Sequence, residues 1–385
     1  MTEKLYEQDA YLREFFATVL EAREGKKGPE VRLDRTAFYP EGGGQPFDTG
    51  CLGAAAVLEV HEREGEIWHL LDRALGAGAY VRGVIDWERR FDHMQQHSGE
   101  HIVSGMICAR YHCSNVGFHL GREVVEIDFD AAIPEADLEE IENAANRYLW
   151  EDHEFEEFYP SPEELAVLEY RSKKALEGEV RIARWPGADT CACCGTHVHR
   201  SGEVGQVLFL SSMKNRGGTR ITMVCGKRAY EAVRILKHQN DRISHLLSAK
   251  WQETADAAER LARENEALRI ARAQQQTRRV QELLAARAGE ETVWIVEPDF
   301  LPERARELAT GLAEAGAAAA AVFFGDESAL RYCIASKEGL PAGFAERMRA
   351  ALGGRGGGKN TFLQGSVEAG REAVEAFFRE EAEQD

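Results

Sequence analysis

The sequence predicts a multidomain protein of the α+β class. Short strand patterns broken by glycines come first, helices and strands then alternate, and a βαβ-type pattern follows a long helical segment. With 385 residues, the chain is long enough for two or three domains. We expect a small N-terminal β-barrel at 1–88, an α+β domain at 89–235, a long coiled-coil-like helical linker at 236–289 and a C-terminal α/β domain at 290–385.

The barrel prediction rests on four segments in which apolar residues alternate or form short runs. They are VRLDRTAFYP, AAAVLEVHE, EIWHLLD and AYVRGVID, and turn residues separate them. Alternation of this kind favours strands that bury one face and connect through turns.

From Arg89 onward the apolar spacing becomes helical. RRFDHMQQHSGEHIVSGMICARY carries apolar or small residues one turn apart, and a second helix is predicted at about 135–150, after Pro134. The segments VGFHLG and EVVEIDFD between these helices resemble strands. EVGQVLFLSSMKNRGGTRITMVCG predicts two further strands joined by a Gly-Gly turn.

Residues 230–288 contain neither proline nor glycine, which favours a long helix. Positions at steps of four and three form a heptad pattern with one asparagine in the seam; they are Leu247, Trp251, Thr254, Ala258, Leu261, Asn265 and Leu268. Two interpretations remain open. The segment is either one amphipathic helix packed on its own chain, or the seam of a helical hairpin or homodimer.

The C-terminal part predicts strands at TVWIVEPDF and AAAAAVFFGD, with the helix PERARELATGLAEAG between them. The glycine-rich segment GGRGGGKNTFLQG, residues 353–365, then precedes a helix predicted at about 367–378. Such a loop, with Arg355 and Lys359, would hold a phosphate or another anion at the start of the helix. Its spacing matches neither a dinucleotide fingerprint nor a P-loop, so a flexible glycine loop is the alternative.

The distribution of charge along the chain is more informative about possible partners than the net charge. The formal net charge of −19 argues against a general nucleic-acid binder. Residues 130–170 hold 14 acidic residues and one basic residue, whereas residues 204–230 hold no acid and five cations: Lys214, Arg216, Arg220, Lys227 and Arg228. This second stretch predicts either a face for a phosphate-bearing partner or a solvated basic hairpin.

The chain also carries cues to its compartment. No apolar run approaches the ~18 residues that span a bilayer, so no membrane association is expected. The N-terminus, MTEKLYEQDAYLREF, is acidic and lacks the apolar core of a secretion signal. We therefore expect a cytoplasmic protein, whose eight cysteines are buried thiols or metal ligands rather than a disulfide framework.

Two histidines four residues apart in QHSGEH, His97 and His101, suggest a metal site. One interpretation is the H-x-x-E-H pattern of a zinc peptidase, with Glu100 as base and a glutamate from 151–169 as third ligand. The other is one half of a zinc site whose remaining ligands lie elsewhere in the chain.

The segment DTCACCGTHVHRSGEVG, about ninety residues later, supplies a second pair of candidate ligands. Thiolate and neutral imidazole are good zinc ligands, and two such pairs complete a tetrahedral set. We therefore predict one zinc ion per chain, bound by His97, His101, Cys193 and His197. Cys191 and Cys194 are competing ligands, and His199 is a lesser one.

Three separated motifs carry a family resemblance. AFYPEGGGQPFDTG (37–50), HSGEH (97–101) and CCGTHVHRSGEVG (193–205) resemble, in order and spacing, the editing domain of alanyl-tRNA synthetase and its freestanding AlaX-type relatives. The glycine-rich C-terminal segment resembles the DHH-associated domain of those synthetases and of the long AlaX proteins. Nothing in the chain resembles the large domain that activates alanine with ATP.

This resemblance implies an aminoacyl-tRNA deacylase that acts in trans on alanine tRNA and removes serine or glycine. By similarity, Gln45 contacts the substrate, Thr36 senses the serine hydroxyl, and the glycines Gly42, Gly43 and Gly44 allow close backbone approach. The family also implies that basic side chains face tRNA phosphates; the candidates are Lys214, Arg216, Arg220, Arg355 and Lys359.

The sequence leaves several alternatives open. Zinc could activate water or position the substrate, since four protein ligands suggest a closed site. A zinc-dependent tRNA-binding module without catalysis, and the zinc peptidase, are the rival functions. The preference between serine and glycine, and pairing with a second copy through 236–289 or the C-terminal domain, also stay open.

Overall fold

The computed structural model describes residues 2–172, 179–326 and 328–382. The chain forms two compact units, Met1–Arg242 and Ile243–Asp385. Both units mix helices and strands, which confirms the predicted multidomain α+β class. Among the described residues, no helix has the length and apolar character needed to cross a membrane. The finer division into four parts stays a prediction.

The N-terminal strands surround an apolar core. The elements of this region are β1 (Glu3–Lys4), α1 (Leu5–Gln8), β2 (Glu14–Glu24), β3 (Pro29–Leu33), β4 (Arg35–Thr36), β5 (Gly50–Leu52), β6 (Ala55–Arg63), β7 (Glu66–Leu71) and β8 (Tyr80–Ile85). Six strands pair in the closed order β2-β3-β7-β6-β5-β8. The sequence did not predict β2, in which buried Phe15, Ala17 and Val19 alternate with more exposed residues, because its second half is rich in charge.

His69 on β7 is fully buried in this region, and its burial should make the stability of the fold depend on acid pH. Burial lowers its pKa from 6.5 to about 4. Between these two values the unfolded chain binds the extra proton, so falling pH destabilises the fold by about 3 kcal/mol in total. Above pH 6.5 the effect is absent. We expect urea unfolding of His69→Gln to vary less between pH 7 and 4.5 than that of wild type.

The exposed His238 offers the matched control. His238→Gln should keep the wild-type pH dependence, because it removes an imidazole from an exposed position on the chain rather than from a buried one. An equal pH dependence for His69→Gln and wild type would show that acid sensitivity arises elsewhere.

The helix α2 (Trp87–Tyr111) is buried along most of its length. The Asp86 side chain caps its start and accepts a hydrogen bond from Arg89 N at 3.2 Å. Met94, Ile102 and Ile107 are fully buried on it. The polar side chains of its middle turns are buried too, so they require partners inside the protein.

Two sheets pack around α2 and a further helix. The elements are β9 (Asn115–Leu120), β10 (Val125–Phe129), α3 (Glu135–Glu151), β11 (Glu156–Phe158), α4 (Pro162–Val167), β12 (Ile182–Trp185), β13 (Asp189–Ala192), a 3-10 turn (Ser201–Val204), β14 (Val207–Asn215) and β15 (Gly218–Cys225). The sheet orders are β14-β15-β10-β9 and β11-β12-β13. The predicted hairpin is present, but its turn is Arg216–Gly217, with φ of 46° and 88°, rather than Gly-Gly.

The long helical segment is two helices, α5 (Gly226–Leu247) and α6 (Thr254–Arg287), so the interpretation as one uninterrupted helix is wrong, whereas the interpretation as the seam of a helical hairpin or homodimer stays open. The chain turns at Ser248, which has a left-handed φ of 50°. The break carries neither glycine nor proline, so no local pattern of residues indicates it. Leu247 now ends α5 and Trp251 lies in the break, which interrupts the heptad seam. Pairing with a second copy stays a prediction.

The C-terminal elements are β16 (Thr292–Val296), α7 (Pro302–Glu314), β17 (Ala319–Asp326), β18 (Ala329–Ala335), α8 (Phe344–Leu352), β19 (Arg355–Lys359), β20 (Phe362–Ser366) and α9 (Arg371–Ala382). They form a sheet of order β16-β17-β18-β20-β19. The strands β16 and β17 are parallel around α7, as the βαβ pattern predicted.

The glycine-rich segment is not a loop at the start of a helix, and that prediction is wrong. It forms the edge hairpin β19–β20, and the last helix begins only at Arg371. Tight packing explains one of the glycines, since a Cβ on Gly356 would lie 1.9 Å from the Tyr332 hydroxyl oxygen. Arg355 and Lys359 therefore stand at the two ends of an exposed edge strand.

Candidate metal centre and adjoining cavity

The four side chains predicted as metal ligands come together in the first unit. His97 and His101 lie one turn apart on α2, whereas Cys193 and His197 come from the loop that follows β13. One ligand atom from each lies within 4.8 Å of all the others. The three histidines are almost fully buried. Residues almost a hundred positions apart thus form one compact donor set.

The spacing of the donor atoms fits zinc. Cys193 Sγ lies 3.5 Å from His97 Nε2 and 3.5 Å from His197 Nε2. Zinc with bonds of ~2.0–2.1 Å to nitrogen and ~2.3 Å to sulfur separates these atoms by about 3.6 Å in a tetrahedron. Three imidazoles and one thiolate also match the ligand types that zinc prefers.

Each of the three imidazole rings is oriented by a contact at its Nδ1 atom. The Nδ1 contacts are His97 to Gln45 Oε1 at 2.9 Å, His101 to Asp189 Oδ2 at 2.8 Å and His197 to Ser98 Oγ at 3.2 Å. With Nδ1 engaged in this way, Nε2 is the nitrogen left available to a metal ion. The surrounding protein therefore sets the geometry before a metal binds.

Gln45, predicted at the substrate, lies behind His97. It is fully buried, and its Oε1 accepts hydrogen bonds from His97 Nδ1 and, at 3.1 Å, from Thr196 N. Its Nε2 donates to Thr196 Oγ1 at 2.9 Å. The amide therefore joins the GGGQ turn to both halves of the metal cluster.

Thr36, predicted to sense a hydroxyl, is also fully buried. Its hydroxyl donates to His69 Nε2 at 2.9 Å and accepts a hydrogen bond from Phe38 N at 3.1 Å. His69 Nδ1 in turn faces the Val31 carbonyl at 3.3 Å, which fixes this direction of donation. Among the described residues of the cavity wall beside the metal cluster, neither Thr36 nor Gln45 occurs.

Asp189 and Arg171 complete the surroundings of His101, and the sequence analysis did not identify either. Arg171 binds Asp189 with Nε at 2.7 Å from Oδ1 and Nη2 at 2.8 Å from Oδ2. Burial raises the pKa of Asp189, but hydrogen bonds from His101 and Arg171 outweigh it and hold the pKa below its ordinary value. The position of Asp189 at the start of the DTCACC motif was the available signal.

Among the three neighbouring cysteines, Cys193 is the one whose sulfur faces the imidazoles. Burial raises its pKa, but His97 and His101 outweigh burial and hold the pKa well below the ordinary thiol value. Burial raises the pKa of Cys191 to about 11. Cys191 forms a second group with His101 and Asp189, but the Nδ1 of His101 there already binds Asp189.

The lesser candidate, His199, lies outside the cluster. It is exposed and stacks on Tyr11 with ring centroids 3.9 Å apart.

A cavity of about 440 Å³ opens beside the metal cluster. Its wall includes the metal-cluster side chains of α2 together with Gly43, Gly44, Glu100, Phe118, Arg171 and Arg181. Gly44 has φ +88°, and a Cβ there would lie 2.5 Å from the Phe118 ring. Gly42 lies in the same turn and donates its N–H to the Gln45 carbonyl at 3.1 Å.

Glu100 thus lines the cavity next to the candidate ligand His101. Its Oε1 accepts hydrogen bonds from Ser104 at 2.7 Å and Asn115 at 2.6 Å, which hold the carboxylate in one orientation. The zinc peptidase interpretation requires a downstream glutamate as ligand. In the described part of the chain, the cluster is completed by Cys193 and His197 instead.

The cations of the basic stretch 204–230 are less available to a phosphate-bearing partner than the sequence suggests. Three of its cations form ion pairs: Arg220 with Asp128 and Glu126, Lys227 with Glu88, and Arg228 with Asp92. Lys214 and Arg216 are exposed on the β14–β15 hairpin. They have no ion pair with the described residues, so the basic face is confined to this hairpin.

Arg355 lines a separate cavity in the second unit. This cavity measures about 770 Å³ and also includes Arg306 and Arg331. Both of those guanidinium groups lie over aromatic rings, Arg306 over Phe362 and Arg331 over Phe324. Lys359 is exposed and does not belong to the described wall.

A comparison with protein families first identifies the class of protein to which part of the chain is similar. Residues 180–222, which include Cys193 and His197, match the family described as "Threonyl and Alanyl tRNA synthetase second additional domain". The chain therefore carries a segment similar to this additional domain of tRNA synthetases, and the segment includes half of the candidate metal cluster.

Similarity to curated proteins gives the family. AlaX-M of Methanosarcina acetivorans, an alanyl-tRNA editing protein, is 37% identical over 56% of this chain and 95% of its own length. AlaX-L of Pyrococcus horikoshii is 28% identical over 97% of this chain and 96% of its own. The alanine–tRNA ligase of Ignicoccus hospitalis is 30% identical over 97% of this chain but 42% of its own. The chain belongs to the AlaX family of alanyl-tRNA editing proteins.

Proposed function

We propose that this protein hydrolyses the ester that joins serine or glycine to the 3′ end of alanine tRNA. The observation that carries this proposal is the buried three-histidine, one-cysteine cluster on the wall of a ligand-sized cavity, in a chain that aligns with AlaX-L over nearly its whole length. The relatives are named alanyl-tRNA editing proteins, and their names supply the substrate class.

Such an activity is useful because a synthetase cannot select alanine by binding alone. A pocket built for alanine cannot strongly reject the smaller glycine, or serine with one added hydroxyl. A second site must accept these errors and refuse alanine, which requires a polar group that a methyl leaves unpaired. We retain Thr36 as the proposed hydroxyl sensor. Its oxygen keeps one lone pair beyond its contacts to His69 and Phe38.

The four cluster residues are proposed to hold one zinc ion, which would supply Lewis-acid polarisation of the ester or of water. Gln45, Asp189 and Ser98 orient the imidazoles that bind it. A four-ligand set favours positioning of the 3′ end, whereas activation of water requires one ligand to leave. Glu100 and the two cavity arginines supply charges of both signs for the aminoacyl group and its ribose.

Deacylation of seryl-, glycyl- and alanyl-tRNA that carry the alanine acceptor stem tests this function. We expect wild type to remove serine or glycine and to spare alanine. His97→Ala should abolish hydrolysis because it removes a metal ligand, whereas His199→Ala in the same region should retain it. A folded, zinc-loaded protein that binds the tRNA without hydrolysis would support the binding-module alternative instead.

The tRNA partner is proposed to contact the exposed hairpin cations, and the arginine-lined cavity of the second unit is proposed to take an RNA phosphate. Arg216→Asn removes one exposed charge and tolerates the left-handed backbone. We expect weaker tRNA binding, with the slope of log affinity against log salt reduced by about 1. Filter binding over a salt series measures both quantities.

Arg220→Gln is the matched control on the same hairpin. Arg220 is held by Asp128, with Nε at 2.7 Å from Oδ1, so its loss should lower stability and leave the salt slope unchanged. If Arg216→Asn also left the slope unchanged, the hairpin would not be a phosphate contact.

A further inference from the structure

One face of the C-terminal sheet carries a row of polar side chains that crosses three strands. Arg331 on β18 is paired with Ser366 on β20, and Ser366 is paired with Arg355 on β19. Residues directly opposite each other in neighbouring strands place their side chains on the same face of the sheet. Neighbouring strands lie about 4.8 Å apart, so the backbones of the two arginines are about 10 Å apart, with the serine midway between them.

A third arginine reaches the same face from α7. Arg306 donates through Nη2 to Gln364 Oε1 at 2.8 Å, and its Cζ lies 4.9 Å from the centroid of the Phe362 ring. Gln364 is two residues before Ser366 on β20, so both side chains lie on one face of the sheet. The guanidinium group of Arg306 is therefore held beside the row. All three arginines and Ser366 line the 770 Å³ cavity of the second unit.

The charges of these three arginines are not neutralised by the described residues. None of the three forms an ion pair there, and Ser366 Oγ makes no hydrogen bond there either. In the same unit, by contrast, the exposed Arg347 binds both oxygens of Glu381. The described wall of the cavity holds one acid, Glu303, against three arginines, so its formal charge is +2. The cavity therefore suits a ligand with two negative charges.

A phosphomonoester fits this wall better than an internal phosphodiester does. At pH 7 a monoester carries a charge of about −1.5 to −2 and presents three terminal oxygens, whereas a diester carries one charge and two such oxygens. Guanidinium groups bind phosphate oxygens through two N–H groups at a time, so three of them supply donors for every terminal oxygen. A terminal phosphate also enters a cavity more readily, because the RNA chain leads away from it on one side only.

We propose that the cavity around Arg306, Arg331, Ser366 and Arg355 binds a phosphomonoester, and that the 5′-terminal phosphate of the tRNA is its source. This inference rests on the proposed tRNA partner, and it names the part of the tRNA that the second unit holds. A free nucleoside 5′-monophosphate carries the same chemical group, so the two sources have to be separated by experiment.

Arg355→Gln removes one guanidinium group from the row, and no described residue loses an ion pair or a side-chain hydrogen bond with it. Arg347→Gln is the matched control, because Glu381 holds this exposed arginine with Nε 2.7 Å from Oε1. Arg331→Gln serves if the first variant does not fold. The full chain is titrated with alanine tRNA that carries a 5′-phosphate or a 5′-hydroxyl, and with adenosine 5′-monophosphate or adenosine. Deacylation of seryl-tRNA is measured on the same proteins.

We expect wild type to bind the 5′-phosphate tRNA on the order of 10-fold more tightly than the 5′-hydroxyl tRNA, because hydrogen bonds to a charged group are the strong ones. Arg355→Gln should reduce this preference to about 2-fold or less and leave the affinity for the 5′-hydroxyl tRNA nearly unchanged. Arg347→Gln should keep the wild-type preference. If both tRNAs bind alike, while adenosine 5′-monophosphate binds better than adenosine and depends on Arg355, the ligand class stands and its source is a free nucleotide.

Two results would overturn the proposal. One is an equal loss of affinity for both tRNAs in Arg355→Gln, which indicates a phosphodiester contact, and the other is no effect of Arg355→Gln on any of the four ligands. Wild type that removes serine but has no preference for either 5′-phosphate would overturn this inference alone. A preference for the 5′-phosphate without deacylation would overturn only the proposed hydrolase.

Discussion

Cys193→Ala is expected to release the metal and to abolish deacylation. Cys193 supplies the only sulfur of the four-residue cluster, and its Sγ lies 3.5 Å from two of the imidazole nitrogens. The adjacent histidines also hold its pKa low, so that the thiolate, the form that binds zinc, is favoured. We expect zinc content to fall from about one per chain to near zero, and the deacylation rate to fall by several orders of magnitude.

The neighbouring cysteines make this prediction specific. Cys191→Ala and Cys194→Ala should keep zinc, because Cys191 faces the Asp189 side of His101 and Cys194 is exposed. Zinc content is measured by elemental analysis of the three purified variants. Retention of the metal by Cys193→Ala together with its loss from Cys191→Ala would mean that the second group, His101, Asp189 and Cys191, binds the ion.

Asp189→Asn is expected to weaken metal binding by about 10- to 100-fold, although Asp189 is not one of the four cluster ligands. The carboxylate accepts from His101 Nδ1 at 2.8 Å and thereby fixes the ring and makes Nε2 a stronger donor. An amide of the same shape removes this charge and leaves Arg171 without its ionic partner. Competition with a chelator of known affinity measures the change.

Asp152→Asn provides the comparison for this effect. Asp152 also pairs with an arginine, Arg200, at 2.7 Å, but it contacts no ligand of the cluster. It should therefore leave metal affinity unchanged. Equal affinities for Asp189→Asn and wild type would show that His101 does not need its carboxylate partner.

Local sequence patterns were enough to predict an element or a site residue wherever its environment is set by near neighbours in the sequence. The helical spacing around QHSGEH predicted α2, and the four-residue step placed His97 and His101 on one face. The alternation before the Arg216 turn predicted the β14–β15 hairpin. The metal cluster combines two such local pairs, so its four residues could be named before their contact was known.

Predictions from local patterns were wrong or incomplete where a residue's environment is set by a partner that lies far away in the sequence. The cations of 204–230 looked like one basic face, yet Arg220 is held by Asp128 from another strand. The glycines of 353–365 looked like an anion-binding loop, yet they allow an edge strand to pass the Tyr332 hydroxyl. The helix break at Ser248 has no glycine or proline to announce it.

The sequence by itself determined the α+β class, the family resemblance and the two histidine and cysteine–histidine pairs of the cluster, with Cys191 and Cys194 still competing with Cys193, because short-range spacing encodes each of these. Only the tertiary structure decided which groups support the cluster. Gln45 lies 52 residues from His97, Asp189 lies 88 from His101, and Arg181, which directly precedes β12, lines the same cavity. Hydrogen bonds over such separations depend on how the elements pack, and no local period of the chain records that packing.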